Sequence, residues 1–308
     1  MNATLAPVVV FAYNRPLHLQ RTLDALAACR LADRTHVHVF ADGPRKPAAA
    51  EAVDEVRRVL AKEALAGRFA SFQVQASEVN LGLANSIIRG VGQVIAAHGR
   101  VIVMEDDLLV SADFLEFMND CLAFYAVDPS VGAVTGFSPL ASLPPSYRDD
   151  VYLTYRNSSQ GWGTWARVWE RIDWTAAGAE RLAGDMGLRR AFNREGNDRY
   201  DRLRRQLAGR IDSWSIRFGL SLFLQGMGTV YPAVNRIANI GYDGTGIHSG
   251  VGTPKNEVIA EAAYRLRPLS VSPDIQKAFH ATYSGPLRGR LLRDALACWP
   301  RASGWLGR

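Results

Sequence analysis

The sequence predicts an α/β protein built on a mostly parallel sheet, and two observations carry this prediction. Through the first hundred residues, short apolar runs alternate with longer segments whose apolar residues recur at helical spacing, an order typical of β-α-β units. The fourth run, VIVM at 101–104, is apolar at every position, which indicates a strand buried on both faces. It leads directly into Glu105, Asp106 and Asp107.

The first third of the chain supplies four predicted strands and the three helices between them. The first strand, 7–13, precedes a helix that begins near Pro16 and carries a stripe of leucines. A second strand, 36–41, ends at Asp42, which opens the turn signal Asp-Gly-Pro. The remaining elements are a helix around 53–60, a strand at 72–76, a helix over 84–99 and the acidic strand at 101–108. This order implies parallel strands joined by right-handed crossovers.

The pattern changes after the acidic strand. Ser111 is the predicted cap of a helix that ends before Asp128-Pro129. Residues 180–210 are rich in charge and poor in apolar positions, which predicts either a solvated helical excursion or a mobile loop. The other predicted elements are strands at 131–137 and 151–155, an aromatic, glycine-rich segment at 158–174, a helix near 213–226 and a strand near 228–231.

Composition excludes several classes of protein. The chain has 308 residues, 48% of them hydrophobic, and no apolar stretch approaches the roughly 20 residues of a membrane helix. Its three cysteines show no paired spacing, which argues against a disulfide framework and against a zinc site. A net charge of +6 is spread along the chain without interleaved aromatics, so nucleic-acid binding is not expected. We therefore expect a cytoplasmic protein with an ordinary solvated basic surface, and attraction to anionic substrates or to an anionic membrane surface is the alternative.

The acidic triplet at 105–107 is the first candidate for a functional site. Open α/β sheets bind ligands in the crevice beyond the carboxyl ends of their strands. Adjacent buried carboxylates repel one another, and a divalent cation removes that cost while attracting a phosphate-bearing ligand. Hard oxygen donors favour Mg²⁺ or Mn²⁺. A polar strand cap, a phospho-acceptor pocket and a Walker-B carboxylate are alternatives, although the G-x-x-x-x-G-K-[ST] motif of P-loop enzymes is absent from the sequence.

Four segments resemble a known family. VVVFAYNRP, the strand ending in Asp42, VIVMEDDLLVSADFLEFM and GWGTWARVW are similar to the GT-A nucleotide-sugar glycosyltransferases, in particular the N-acetylglucosaminyltransferase-I-like group and its bacterial relatives. The resemblance covers about residues 7–250. It implies a GT-A fold, that is, a Rossmann-like, mostly parallel sheet flanked by helices, with an abutting acceptor-binding half. The implied parts are a nucleotide-sugar-binding half at 1–110, an acceptor-binding and catalytic half at 111–270, and a basic C-terminal extension at 271–308.

The resemblance also implies residues that bind the donor nucleotide. The backbone at Phe11, Ala12 and Tyr13 would border the nucleotide, and Arg15 would reach the diphosphate. Asp42 would accept a hydrogen bond from the uracil N–H, or would simply form its turn.

Further donor contacts come from loops. Asn80 would bind near the ribose or base, or cap its own loop. Asp107 would ligate Mn²⁺ or Mg²⁺, with Asp106 on the ribose or a metal-bound water and Glu105 on the donor sugar or ribose. His248 would be a second metal ligand or contact the diphosphate, or would face solvent.

Four further residues are considered on the acceptor side. Asp212 matches the family's catalytic base, and as a residue at a helix start it is also a candidate N-cap. Ser213 stands where the animal enzymes have a second acidic residue. Trp162, flanked by two glycines, is expected to face the cleft and stack on a sugar, whereas Trp165 is open to either stacking or core packing.

These inferences predict a metal-dependent, inverting glycosyltransferase. Its donor is expected to be a UDP-sugar, and its acceptor a saccharide or lipid-linked saccharide of bacterial surface polysaccharide synthesis. A nucleotidyltransferase and a non-catalytic carbohydrate-binding protein are the alternatives. Residues 285–308 form a basic, tryptophan-containing segment that suits either peripheral contact with the inner face of an anionic membrane or packing as an ordinary terminal helix.

Overall fold

The computed structural model describes residues 4–244 and 259–284, which form ten strands and ten α-helices. The strands are β1 Val8–Ala12, β2 His36–Ala41, β3 Ser71–Ala76, β4 Arg100–Glu105, β5 Leu108–Val110, β6 Val131–Thr135, β7 Val151–Thr154, β8 Trp162–Trp165, β9 Gly228–Pro232 and β10 Ile237–Asn239. The helices are α1 Pro16–Ala27, α2 Ala50–Ala66, α3 Leu83–His98, α4 Phe114–Phe124, α5 Ala166–Trp169, α6 Ala179–Gly184, α7 Met186–Phe192, α8 Arg199–Leu207, α9 Trp214–Leu224 and α10 Pro273–Tyr283.

Eight of the strands form one sheet in the order β3-β2-β1-β4-β8-β6-β9-β7. The first four in that order are parallel, and β6 and β9 are parallel as well. Only β8 and β7 run antiparallel to their neighbours in this sheet. The predicted α/β class with a mostly parallel sheet flanked by helices is confirmed, and the arrangement is consistent with a GT-A-like fold.

The parallel half forms because its strands and helices bury matching apolar faces. Every residue of β1 is buried, and residues 101–104 of β4 are fully buried. Helix α1 turns Leu19, Leu23 and Leu26 into the same core. Each such side chain contributes about 1.5–3 kcal/mol when fully buried. Helix α3 ends at Gly99, whose φ of 72° is the left-handed conformation that terminates helices.

A second, two-stranded sheet lies beside the carboxyl end of β4. It pairs β5 with β10 antiparallel, and the sequence analysis did not predict it. The helix that follows β5 is also corrected at its start. The residue before α4 is Asp113, and the Ser111 hydroxyl donates a hydrogen bond to its carboxylate at 2.5 Å instead of capping the helix.

The charged segment at 180–210 folds as the helical alternative. Helices α6, α7 and α8 enclose a small apolar cluster of their own. Leu182, Phe192 and Leu203 contribute to this cluster, and Ile216 and Leu220 of α9 complete it.

Helix α10 packs Ile275 and Phe279 onto Tyr152 and Tyr231 of the large sheet. The proposed membrane-docking tail, 285–308, lies outside the described residues. None of the helices in residues 4–244 and 259–284 has the length and apolar composition needed to cross a membrane.

Candidate active site at the carboxyl ends of the parallel strands

The sheet has a topological switch point at β1. The chain proceeds from β1 to β2 and β3 on one side, and β4 returns to the other side of β1. The crevice between the carboxyl ends of such strands is where open α/β sheets bind ligands. Most of the predicted donor residues follow the four strand ends at this edge, namely Tyr13 and Arg15 after β1, Asp42 after β2, Asn80 after β3, and Asp106 and Asp107 after β4.

The residues after β1 and β4 form one buried ionic cluster. Asp106 and Asp107 are 3% and 4% exposed. The Arg15 Nη2 atom contacts Asp106 Oδ1 and lies 3.0 Å from Asp107 Oδ2. The Tyr13 backbone N–H donates to Asp106 Oδ2 at 3.3 Å, and the Thr22 hydroxyl donates to the Asp106 carbonyl at 2.9 Å. A single guanidinium therefore bridges both carboxylates.

One guanidinium does not balance the negative charge of the triplet. Burial raises the pKa of Glu105 to about 8, and the charges of Asp107 and Asp106 add to that shift. Burial also raises the pKa of Asp106 to about 6, although the charge of Arg15 opposes the rise. The pKa of Arg15 is raised in turn, because the attraction of both aspartates outweighs its own burial. A second cation at this point would therefore be stabilised.

The donor set fits a metal held by few protein ligands. Asp107 Oδ1 is buried and has no hydrogen-bond partner among the described residues, and the same is true of Arg15 Nη1. No three His, Cys, Asp or Glu side chains within 4–244 and 259–284 converge as a metal-binding group. Mg²⁺ is commonly bound by one or two carboxylates plus substrate phosphates and water. The cluster fits that mode, with Asp107 as the ligand, and does not fit an all-protein cage. His248 lies outside the described residues.

The backbone after β10 closes the cluster from the other side. The Ile240 N–H donates to the Asp107 carbonyl at 2.9 Å, and a Cβ added to Gly241 would collide with the Asp107 carboxylate. The His18 ring, on α1, lies 3.3 Å from the Ile240 carbonyl and 3.1 Å from an Asp243 carboxylate oxygen. Only glycine at 241 allows the chain to pass this close to the acidic pair.

Asp42 and Asn80 build the loop beside this cluster. The Asp42 carboxylate accepts hydrogen bonds from the backbone N–H groups of Leu81 at 2.8 Å, Gly82 at 2.9 Å and Gly43 at 3.0 Å. The Asn80 side-chain amide donates to the Gly43 carbonyl at 2.8 Å. Both side chains therefore hold loops together, and their contacts with a base or ribose remain predictions.

The chain at the end of β1 is ordered by contacts on both sides. The Phe11 ring stacks on Phe40 in the core at 5.6 Å between centroids. The Ala12 carbonyl accepts from the Asp42 N–H at 2.9 Å, and the Tyr13 hydroxyl accepts from the Arg45 N–H at 3.0 Å. Contact between this backbone and a nucleotide remains a prediction.

The prediction that Trp162 faces the cleft is wrong. Its side chain is 1% exposed and stacks on Trp214 with 4.8 Å between ring centroids. The flanking glycines serve close packing instead, because a Cβ at Gly163 would lie 2.9 Å from the Val101 carbonyl of β4. Trp165 takes the core-packing alternative, with its indole N–H donating to the Leu122 carbonyl at 2.9 Å. These two tryptophans therefore form no platform for a sugar.

Asp212 lies at the surface just before α9. Its carboxylate accepts a 2.9 Å hydrogen bond from Arg217, and its side chain is 58% exposed. It is not the N-cap of α9, because Ser213 takes that position and accepts from the Ile216 N–H at 3.4 Å. The predicted role of Asp212 as a catalytic base remains a prediction.

A cavity beside the acidic cluster was missed by the sequence analysis. It has a volume of about 210 Å³, and its lining includes Arg156, Gln160, Arg202, Ser215 and Tyr242. Tyr242 directly follows Gly241, and burial raises the pKa of the Tyr242 phenol, to which the negative charge of Asp107 adds. The sequence signal was the polar run RNSSQ at 156–160, which begins two residues after the last residue of β7.

Comparisons with known proteins add little. Neither the scan against family models nor the search of curated proteins gives a match. Among solved structures, the chain has a weak similarity to the crystal structure of S. aureus TarS, with 15% identity and a TM-score of 0.36. The similarity covers 55% of this chain and 30% of that one, so the chain spans less than a third of that protein. A likeness of this degree carries no argument about activity.

Proposed function

We propose that this protein is a metal-dependent glycosyltransferase that moves a sugar from a nucleoside-diphosphate sugar, expected to be a UDP-sugar, to a hydroxyl of a saccharide acceptor. One observation carries the proposal: Asp106, Asp107 and Arg15 form a buried ionic cluster in the crevice at the switch point of the sheet. Buried carboxylates with an unpartnered oxygen at this position suit a cation and a phosphate-bearing ligand.

Different residues of the cluster would contact the metal and the diphosphate of the donor. Asp107 Oδ1 would hold Mg²⁺ or Mn²⁺, and Arg15 Nη1 would donate to a diphosphate oxygen, because both atoms are buried without a partner among the described residues. When bound, the metal neutralises the charge that builds on the departing nucleoside diphosphate. Glu105, at the carboxyl end of β4, would contact the donor sugar or ribose.

The transfer step needs a base for the acceptor hydroxyl, and we assign that role to Asp212. A hydroxyl is a poor nucleophile at neutral pH until a positioned base takes its proton. Asp212 lies three residues before Ser215, which lines the cavity beside the acidic cluster. Its carboxylate would exchange the contact with Arg217 for the acceptor hydroxyl. A single displacement would invert the anomeric centre. The expected acceptors belong to bacterial surface polysaccharide synthesis.

Calorimetric titration of UDP-sugars with and without Mn²⁺, followed by an assay for released UDP, tests this proposal. Asp107→Asn should weaken Mn²⁺-dependent donor binding at least tenfold, which corresponds to about 1.4 kcal/mol. Asp54→Asn is the matched control, because Asp54 is an exposed aspartate on α2. Asp212→Asn should retain donor binding and lose transfer.

Three outcomes would overturn parts of this assignment. If no nucleotide sugar binds, or if affinity is the same in EDTA as in Mn²⁺, the donor site is wrongly assigned. Release of pyrophosphate instead of a nucleoside diphosphate would indicate a nucleotidyltransferase. Undiminished transfer by Asp212→Asn would remove that residue as the base.

A further inference from the structure

The cavity beside the acidic cluster is chemically unlike the donor site. Six separate elements meet there: the chain after β6, the loop after β7, helix α8, the start of α9, the end of β10 with the chain after it, and the end of α10. Its charged lining residues are Arg156 and Arg202, and no carboxylate lines it among the described residues. Its volume of about 210 Å³ is below the roughly 300–1,000 Å³ of sites for drug-sized ligands, which suits a single sugar ring.

One of the two arginines is already neutralised. Both terminal nitrogens of Arg156 donate to the Asp198 carboxylate, at 2.7 and 2.8 Å, in a bidentate pair. Arg156 also donates to the Glu195 carbonyl at 3.3 Å, and its guanidinium lies 3.6 Å from the centre of the Tyr283 ring. Arg156 therefore lines the cavity, but its terminal nitrogens and its charge are already used within the protein.

Arg202 is in the opposite situation. Within the described part of the chain, its side chain makes one hydrogen bond, a long one of 3.5 Å to the Ser213 hydroxyl. That hydroxyl already accepts from the Ile216 N–H. Burial lowers the pKa of Arg202, and repulsion from Arg156 lowers it further, while Asp198 opposes the shift. The charged form of Arg202 is therefore destabilised by desolvation and by repulsion from Arg156. An anion bound in the cavity would offset this destabilisation.

Two further groups define what else the ligand must carry. Gln160 Oε1 is buried and has no hydrogen-bond partner among the described residues. A buried acceptor of this kind requires a donor such as a sugar hydroxyl. Ser215 stands in the first turn of the eleven-residue helix α9, whose positive dipole end favours negative charge.

We infer that this cavity is the acceptor subsite of the proposed transferase and that it selects an anionic saccharide. Arg202 contacts the phosphate or carboxylate of the sugar, and Gln160 accepts a hydrogen bond from one of its hydroxyls. The inference rests on the proposed function, because it names the acceptor class of the same active site. Tyr242, which follows Gly241 beside Asp107, forms the boundary between donor and acceptor.

Titration of small probes into the protein saturated with UDP and Mn²⁺ tests this inference. The probes are glucose 6-phosphate, glucuronate, glucose and inorganic phosphate. Wild-type protein should bind at least one anionic sugar tenfold or more tightly than glucose and than phosphate. Whether that sugar is the phosphate or the carboxylate identifies the anion. Arg202→Gln should abolish the preference. Arg204→Gln, which removes the same charge from an exposed position of α8, should keep it.

A second variant protects the test against misfolding of Arg202→Gln. Ser215→Asp places a negative charge in the cavity, and an acidic residue in the first turn of a helix is favourable for its stability. It should remove binding of the anionic sugar and leave UDP binding unchanged. Retention of anionic-sugar binding by Ser215→Asp, or equal losses in Arg202→Gln and Arg204→Gln, would overturn the assignment.

The remaining outcomes separate this inference from the proposed function. If the anionic sugar displaces the bound UDP, the cavity belongs to the donor site and the inference fails while the proposed function stands. If phosphate alone binds as tightly as the sugar phosphate, the cavity is only an anion site and the saccharide assignment fails. Absence of UDP binding in the preliminary titration would instead overturn the proposed function.

Discussion

Replacing Arg15 by methionine should destabilise the metal-free protein by about 3 kcal/mol. Arg15 is the bridging cation of the buried cluster, with Asp107 Oδ2 at 3.0 Å and Asp106 in contact. At an effective dielectric constant of 20, the gross attraction to Asp107 alone is about 5–6 kcal/mol. Desolvation of the three charges offsets part of it, and breaking buried ion pairs costs about 3–5 kcal/mol. The 15% exposure of the Arg15 side chain places the expected loss at the lower end.

Thermal unfolding followed by far-ultraviolet circular dichroism in EDTA measures this loss. At about 2 °C per kcal/mol for a large domain, the Tm should fall by about 6 °C. Mn²⁺ should then raise the Tm of Arg15→Met more than that of the wild type, because the metal replaces the missing positive charge. The control is Arg30→Met, since Arg30 also bonds two carboxylates, Glu116 and Glu261, but is half exposed. Equal shifts in the two variants would refute the burial argument, and equal stabilisation by Mn²⁺ would refute the proposed compensation.

Three further predictions concern the site and its surroundings. Gly241→Ala should reduce Mn²⁺-dependent UDP-sugar affinity at least tenfold in calorimetry, because the new methyl group displaces Asp107, whereas Gly184→Ala, in open space, should not. Glu105 keeps its proton up to about pH 8 when folded and loses it near 4.5 when unfolded, so this group lowers the stability of the metal-free protein as pH rises through that window. Glu105→Gln should therefore gain stability relative to wild type between pH 5 and 8 in urea titrations, and parallel pH profiles would contradict the raised pKa. Trp162→Ala should cost about 3–5 kcal/mol of unfolding free energy, since the ring is fully buried, and a loss below about 1 kcal/mol would contradict its place in the core.

The parallel half of the fold could be predicted because its signals are local. The strand predicted at 36–41 is β2, and the helix predicted over 84–99 is α3 at Leu83–His98. Each has a regular spacing of apolar residues and a glycine or turn signal at its end. The two-stranded sheet of β5 and β10 gave no such signal, because strands of three residues are too short for alternation to be recognised.

The site was predictable to the extent that it depends on strand ends. The carboxyl ends of parallel strands share one edge, so Arg15, Asp106 and Asp107 could be expected to meet before any contact was known. Trp162 was assigned wrongly because its glycine neighbours were interpreted as space for a ligand, whereas they allow β8 to approach β4. The cavity at Arg202 depends on six elements distant in sequence, and the polar run at 156–160 by itself does not report such a convergence.

The burial of the tryptophans has a spectroscopic consequence. Residues 1–161 contain none of the seven tryptophans, and Trp162, Trp169, Trp174 and Trp214 form a single aromatic cluster with Phe218. Rings 4.7–5.9 Å apart share their excitation energy, so within the described residues their emission reports mainly on the contact between β8 and α9. Circular dichroism, in contrast, averages over every helix. A melting curve measured by both signals would therefore show whether the parallel half around β1 to β4 unfolds together with this aromatic cluster or before it.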